Sequence, residues 1–260
     1  IHADILKFNP SPYNLKPSTY SSFYMLDQDT IAYINAINTF AKAKTGALAA
    51  LEKKFNGDWQ KAWHSDISKF LPQDIKLARD KVKPADLLAK LREQSIDIIS
   101  IYDDNYPQLL KQLTEPPFII YLKGSKKILN NLCLAVVGSR KASDYGKRCG
   151  SQIVTDLAAN GLTIVSGLAS GIDALAHQNT LAVNGQTIAV LGTGLDEKSM
   201  FPRQNLALYR DILANNGAII SEYPINTPAA KFNFPQRNRI ISGLSKGVLI
   251  VEADQRSGSL

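Results

Sequence analysis

From Cys133 onward the chain alternates short apolar runs with helix-length segments, and this rhythm limits the possible folds more than any other feature. Residues 133–137, 162–165, 187–191, 218–221 and 247–251 read as strands. Residues 145–160, 172–183, 204–216 and a short stretch near 239–244 have helical length and lie between them. Parallel strands need a crossover between each pair, and the helices that supply it cover the sheet. The pattern therefore predicts an α/β fold, a parallel sheet with helices on both faces.

Upstream the rhythm is different. Residues 29–95 place Ile31, Ile34, Ile37 and Phe40, then Leu48, Leu51 and Phe55, then Trp59, Trp63, Ile67 and Phe70 at helical spacing. This predicts a small helical domain. Residues 1–28 mix Pro, Ser, Tyr and Asn without sustained period and read as a leader or linker. Residues 96–102 and 118–122 are strand-like and lead into a second domain over 96–260. A strand directly precedes the terminal Ser257-Gly-Ser-Leu260, and no covering helix follows it, so the native protein is expected to continue.

Composition narrows the setting. The apolar share is 45%, yet no run approaches the roughly 18 residues of a membrane helix, which predicts a soluble protein without membrane partners. Residues 1–12 lack the charged start and apolar middle of a secretory signal. Cys133 and Cys149 are too few for a disulfide framework and too far from His for a zinc site, which suits a reducing, cytoplasmic compartment. The net charge of +7 comes from 18 basic against 14 acidic residues over 1–130 and 12 against 9 over 131–260. There is no basic tail, so any polyanion site must arise from local geometry.

In an open α/β sheet, ligands collect beyond the carboxyl ends of the strands. Those positions here read Gly138-Ser139-Arg140-Lys141, Ser166-Gly167-Leu168-Ala169-Ser170-Gly171-Ile172-Asp173, Gly192-Thr193-Gly194-Leu195-Asp196 and Glu222-Tyr223-Pro224. Glycine permits close backbone approach, and a following helix offers free N–H groups, a combination suited to phosphate oxygens. Tight strand-to-helix turns would use the same glycines. The dinucleotide fingerprint is missing, since Gly192-x-Gly194 has no third glycine, and no phosphate-loop G-x-x-x-x-G-K-[ST] occurs. Neither a nucleotide-driven motor nor a nicotinamide enzyme fits, and no cofactor is expected. His177 follows Asp173 at i+4, a spacing that reads first as a local helix-start contact rather than a catalytic pair. Without a nucleophile, carboxylate cluster or metal-ligand set, no catalytic residue or metal site is expected.

The stretch Lys231-Phe-Asn-Phe-Pro-Gln-Arg-Asn-Arg239 mixes cations with aromatic rings. Cations that grip phosphates and faces on which bases stack are what sequence-tolerant single-strand binding needs. Lys231, Arg237 and Arg239 supply charge, Asn238 can donate and accept, and Arg140 adds a cation after the first strand. Phe234 precedes Pro235 and is expected to be extended. Core filling is the other reading of Phe232 and Phe234.

Taken together these motifs resemble the DNA-processing protein A family (DprA, also called Smf). The resemblance rests on Val137-Gly-Ser-Arg140, Ser166-Gly-Leu-Ala-x-Gly-Ile-Asp-x-x-Ala-His177, Ala189-Val-Leu-Gly-x-Gly-Leu195, Ser221-Glu-Tyr-Pro224, Phe234-Pro-x-Arg-Asn-Arg239 and Val251-Glu-Ala with Ser257-Gly-Ser-Leu260. It implies an extended Rossmann-like domain preceded by a helical, SAM-like one. It also implies sequence-independent binding of single-stranded DNA, homodimers, and help in loading the RecA recombinase during natural transformation and homologous recombination. Carried over residue by residue, it makes Arg140 and Lys231 phosphate contacts and Phe234 a base-stacking side chain. Gly138, Ser139, Ser166, Gly167, Ala169, Gly171, Gly192 and Gly194 become pocket walls, and Arg237 and Asn238 belong to the site while also shaping its loop. The helical domain departs from the family, with Ala43-Lys-Thr-Gly-Ala-Leu where a glycine-rich hairpin is usual. The alternative is a nucleotide-binding hydrolase of the phosphoribohydrolase type, but the Pro-Gly-Gly-x-Gly-Thr-x-x-Glu loop of such enzymes is absent.

Overall fold

The computed structural model describes residues 26–44, 46–71 and 79–253. Most of the expected leader, Thr45 and the terminal Ser257-Gly-Ser-Leu260 lie outside the described residues. Among the described residues four helices come first: α1 Gln28–Ala41, α2 Ala47–Phe55, α3 Trp59–His64 and α4 Pro84–Glu93. Asp27 caps α1, its Oδ1 accepting from Thr30 N at 2.7 Å, a contact worth about 1 kcal/mol. Ile34 and Ile37 on α1, Leu51 on α2 and Trp59 and Trp63 on α3 are buried, the apolar stripes that the spacing announced.

A seven-stranded sheet follows, built from β1 Asp97–Ser100, β2 Ile119–Gly124, β3 Cys133–Gly138, β4 Thr163–Ser166, β5 Thr187–Leu191, β6 Ala218–Ser221 and β7 Val248–Val251. Its order is β1-β2-β6-β5-β4-β3-β7. The strands from β3 to β7 are parallel, whereas β2 is antiparallel to both β1 and β6. The strands from 133 onward thus form the expected parallel sheet, and β1 and β2 extend it with an antiparallel edge, so that the whole sheet is mixed. The connection from β1 to β2 holds a 3-10 turn and no α-helix, so no parallel crossover forms there. The two upstream segments are strands of the sheet itself.

The helices α5 Asp144–Ala159, α6 Ile172–Ala182, α7 Leu206–Ala214 and α8 Asn233–Gly243 connect the parallel strands. Side-chain alternation divides the core as a period of two requires. Ala189, Leu191, Ile219 and Tyr121 meet α7 and the amino-terminal helices in one buried cluster. Ile188, Val190, Ile220 and Leu122 meet Ile240 and Ile241 of α8 on the opposite face. Val136 and Ile164 pack on α5 and α6.

The amino-terminal helices are tied to the sheet by polar groups as well. The Tyr121 hydroxyl donates to Asn35 Oδ1 at 2.9 Å, and Asn38 Nδ2 donates to the Tyr121 oxygen at 3.1 Å. Asn38 Nδ2 also reaches the Glu222 carbonyl at 3.3 Å. All of these groups are buried, so losing one partner would strand the others without water.

Winding from β3 runs outward through β4, β5 and β6, and α8 then carries the chain back to β7 on the far side of β3. Ligands of open α/β sheets gather beyond the carboxyl ends of the strands near such a reversal. The loop after β3 lies at that edge, and the amino end of α8 is tied there to the loop after β5.

Candidate nucleic-acid interface

The glycine loops converge as expected, but their contacts are mostly with one another. Gly171 opens α6 with φ +81°, and a Cβ there would stand 2.3 Å from the Ser139 carbonyl oxygen and 2.7 Å from Arg140 Cα. Only glycine allows both the dihedral and the approach. The Ser139 carbonyl accepts from Ile172 N at 3.1 Å, so the loops after β3 and β4 are locked together. A Cβ on Gly138 would collide with the Val251 carbonyl oxygen, and one on Gly194 with Asp196 and Pro224. Gly138, Ser166, Gly167, Gly192 and Gly194 are buried, while Ser139, Ala169 and Gly171 are half-buried. The buried Ser166 hydroxyl donates to the Val136 carbonyl at 2.6 Å. These residues form a floor.

Helix α8 starts at Asn233 rather than near Arg239, and Phe234 is helical rather than extended. Pro235 sits in the first turn, where its missing N–H would have had no helical partner. Asn233 Nδ2 anchors that turn by donating to the Gly192 carbonyl at 2.9 Å. The helix then buries Asn233, Arg237, Ile240 and Ile241, the i, i+4, i+7, i+8 stripe.

Helix phase consequently separates the cations. Arg237 is 4% exposed, and its Nη1 donates to the Gly167 carbonyl at 2.6 Å and to the Val190 carbonyl. Its guanidinium lies where a Gly167 Cβ would be, 2.3 Å from Nη1. Arg239 donates through Nη2 to Glu222 at 2.5 Å and through Nη1 to the Glu115 carbonyl at 2.9 Å. Neither guanidinium faces solvent as a free phosphate grip, which corrects the reading of 231–239 as one cationic surface. Asn238 is half-buried beside them.

Asp173 and His177 are buried too, and they do not meet as a helix-start pair. Asp173 Oδ2 accepts from Gly167 N at 3.2 Å and Ala169 N at 3.4 Å, bracing the loop after β4. Burial pushes its carboxyl up, opposed by the Arg237 charge and these N–H groups. His177 Nδ1 lies 2.7 Å from Thr187 Oγ1, which itself donates to the Ile164 carbonyl. The threonine proton is thereby committed, so Nδ1 carries the imidazole proton. Burial and then Arg237 hold this imidazole down to about 3, so it is neutral at physiological pH.

Two exposed charges and a ring remain. Arg140 and Lys231 are exposed. The Arg140 guanidinium carbon lies over the Phe234 ring, 5.9 Å from its centroid, within cation–π reach. Phe234 is half-buried, and its Cδ1 would be 3.0 Å from a Cβ on Gly192. Beside it stands Phe201, absent from the sequence reading, 46% exposed and with its ring centroid 5.9 Å from that of Phe234 at 44°. Phe201-Pro202-Arg203 repeats the aromatic-proline-cation theme of Phe234-Pro235-x-Arg237, a signal that could have marked it.

A family model described as DNA recombination-mediator protein A matches residues 97–260. The chain is 47% identical over 173 residues to the protein Smf of Escherichia coli, covering 66% of this chain and 46% of that one. It thus spans about half the length of that relative. An X-ray structure of DNA processing protein A from Streptococcus pneumoniae superposes with a TM-score of 0.71 at 31% identity, covering 90% of this chain and 81% of that chain. A Helicobacter pylori DNA processing protein A, whose structure concerns its single-stranded DNA binding mode, superposes with a TM-score of 0.57 at 34% identity, covering 63% and 72%. The match across the whole sheet, together with the loops that converge at its carboxyl edge, shows that this chain belongs to the DNA recombination-mediator protein A family.

Proposed function

We propose that this chain binds single-stranded DNA without sequence preference and serves DNA processing in transformation and recombination. The observation that carries this reading is the exposed Arg140 guanidinium set over the half-buried Phe234 ring, with the Lys231 ammonium exposed near the start of the same helix. Charge for phosphates and a face for a base then occupy one mouth, and base–aromatic stacking tolerates any sequence because every base has a π face. Gly138, Ser139, Ser166, Gly167, Ala169, Gly171, Gly192 and Gly194 hold that mouth in shape. Arg237 and Asn238 act from within helix α8. The Helicobacter pylori relative, studied for single-strand binding, supports the reading.

The bound strand would be handed to a RecA recombinase by a cytoplasmic homodimer, the role that the family resemblance implies. The chain acts as a binder rather than a catalyst in this scheme. His177 on helix α6 is fully buried and neutral, and Asp173 is engaged with backbone N–H groups, so neither is placed to act on a substrate.

Fluorescence anisotropy with a labelled mixed-sequence single strand, competed with the matching duplex, tests the proposal. The single strand should bind clearly more tightly. Equal affinities would overturn it, and sustained release of free base or cleaved strand by the purified protein would favour the hydrolase instead.

A further inference from the structure

We infer that Phe201 is a second base-stacking face, so that the site takes two consecutive nucleotides of a single strand, one on Phe234 and one on Phe201; this rests on the single-strand reading above. Phe201 lies in the loop after β5 and remains 46% exposed even with Phe234 beside it. A phenylalanine whose purpose was apolar cover would bury its own ring in doing so, and this one leaves nearly half its surface in water. The loop is held from below, Tyr209 donating to the Leu195 carbonyl at 2.6 Å and Asp196 accepting from Asn226 N at 2.6 Å and Ser199 N at 3.0 Å. An exposed ring on a braced loop is a pre-set platform.

The geometry also selects the form of the ligand. Neighbouring bases in a duplex strand are parallel and rise by about 3.4 Å, whereas these rings stand 5.9 Å apart and are tilted by 44°. Two bases laid on them are splayed, which a single strand accepts and a stacked duplex does not. Arg140 lies over Phe234, and Arg203, exposed and two residues beyond Phe201 in the chain, is anchored by donating through Nη1 to the Glu197 carbonyl, so both loops carry a cation for the flanking phosphates.

The test is a double-mutant cycle read by anisotropy with a fluorescein-labelled oligothymidylate, with melting temperatures recorded for every variant. Phe201→Ala should weaken binding by roughly tenfold, both in the wild-type background and in Phe234→Ala, because two bases on two faces lose affinity independently. Phe201→Leu should lose as much, and Phe201→Tyr, which restores a flat face, should bind as wild type. If Phe201→Ala does not fold, the Leu and Tyr pair decides alone. Wild-type affinity in Phe201→Leu, or no further loss from Phe201→Ala once Phe234 is gone, would overturn the inference, the latter by reducing Phe201 to a prop for Phe234. Failure of the parent reading looks different: the wild type itself shows no single-strand preference and Phe234→Ala changes nothing.

Discussion

Lys231 and Arg237 belong to one short stretch and carry the same charge, but Lys231 stands in solvent just before helix α8 while Arg237, within it, is 4% exposed. The difference is one of helix phase. Arg237 is four residues after the buried Asn233 and three before the buried Ile240, whereas Lys231 precedes the helix altogether. A composition that reads as one cationic patch therefore divides into a rim that can meet a ligand and a floor that holds the loops. The floor is the costlier part to disturb, because its charges have been taken out of water and are compensated by each other, by carbonyls and by the backbone N–H groups of the loop after β4.

The largest effect expected from this contrast is on stability. Arg237→Ala leaves Asp173 without its nearby cation and the Gly167 and Val190 carbonyls without a donor, and should cost about 3–5 kcal/mol in a denaturant titration. Lys231→Ala should stay within about 0.5 kcal/mol. A stable Arg237→Ala with weakened DNA binding would erase the division between floor and rim.

Phe234 sits on the boundary between the two. Its truncation to Ala should reduce single-strand affinity by about 1–3 kcal/mol, with a stability loss below the roughly 3–5 kcal/mol of a fully buried Phe. A full core-sized loss with affinity intact would move Phe234 into the floor.

Acid sharpens the contrast from the other side. His177 is held down to about 3 in the folded protein, whereas an unfolded chain protonates near 6.5. The unfolded state therefore binds the extra proton between these limits. Stability from this source is complete above about pH 6.5 and falls by up to about 1.4 kcal/mol per pH unit as the pH drops towards 3. Denaturation of wild type and His177→Gln at pH 6.5 and pH 5 should show a shallower pH dependence in the variant. Identical slopes would mean that protons reach His177 in the folded state.

The smallest effect belongs to the rim. Arg140→Ala and Lys231→Ala should each lower the slope of log affinity on log salt by about 0.7, while leaving unfolding almost unchanged. Unaltered slopes in both would show that neither touches phosphate.

Much of this protein is legible without coordinates. The strand segments from 133 onward coincide with β3 to β7 within a residue or two, because apolar runs of that length bounded by glycine and polar residues have few other uses. The stripe through Ile34, Ile37, Leu51, Trp59 and Trp63 likewise announces helices with one buried face. The start of α8 was obscured by Pro235, whose bias against a helical predecessor yields here to the Asn233 anchor on a different loop.

The sequence by itself determined most of the elements, the apolar buried faces and the motifs that mark the family, since periodicity and turn chemistry are properties of neighbours along the chain. Only the tertiary structure decided that β2 runs against its neighbours, that Arg239 pairs with Glu222 and Arg237 with the carbonyls of two strands, and that Phe201 comes to stand beside Phe234. Those outcomes depend on strand order and helix phase, which bring together residues that no local pattern connects. A charge or a ring becomes floor or rim only once the sheet has fixed what lies on its other side.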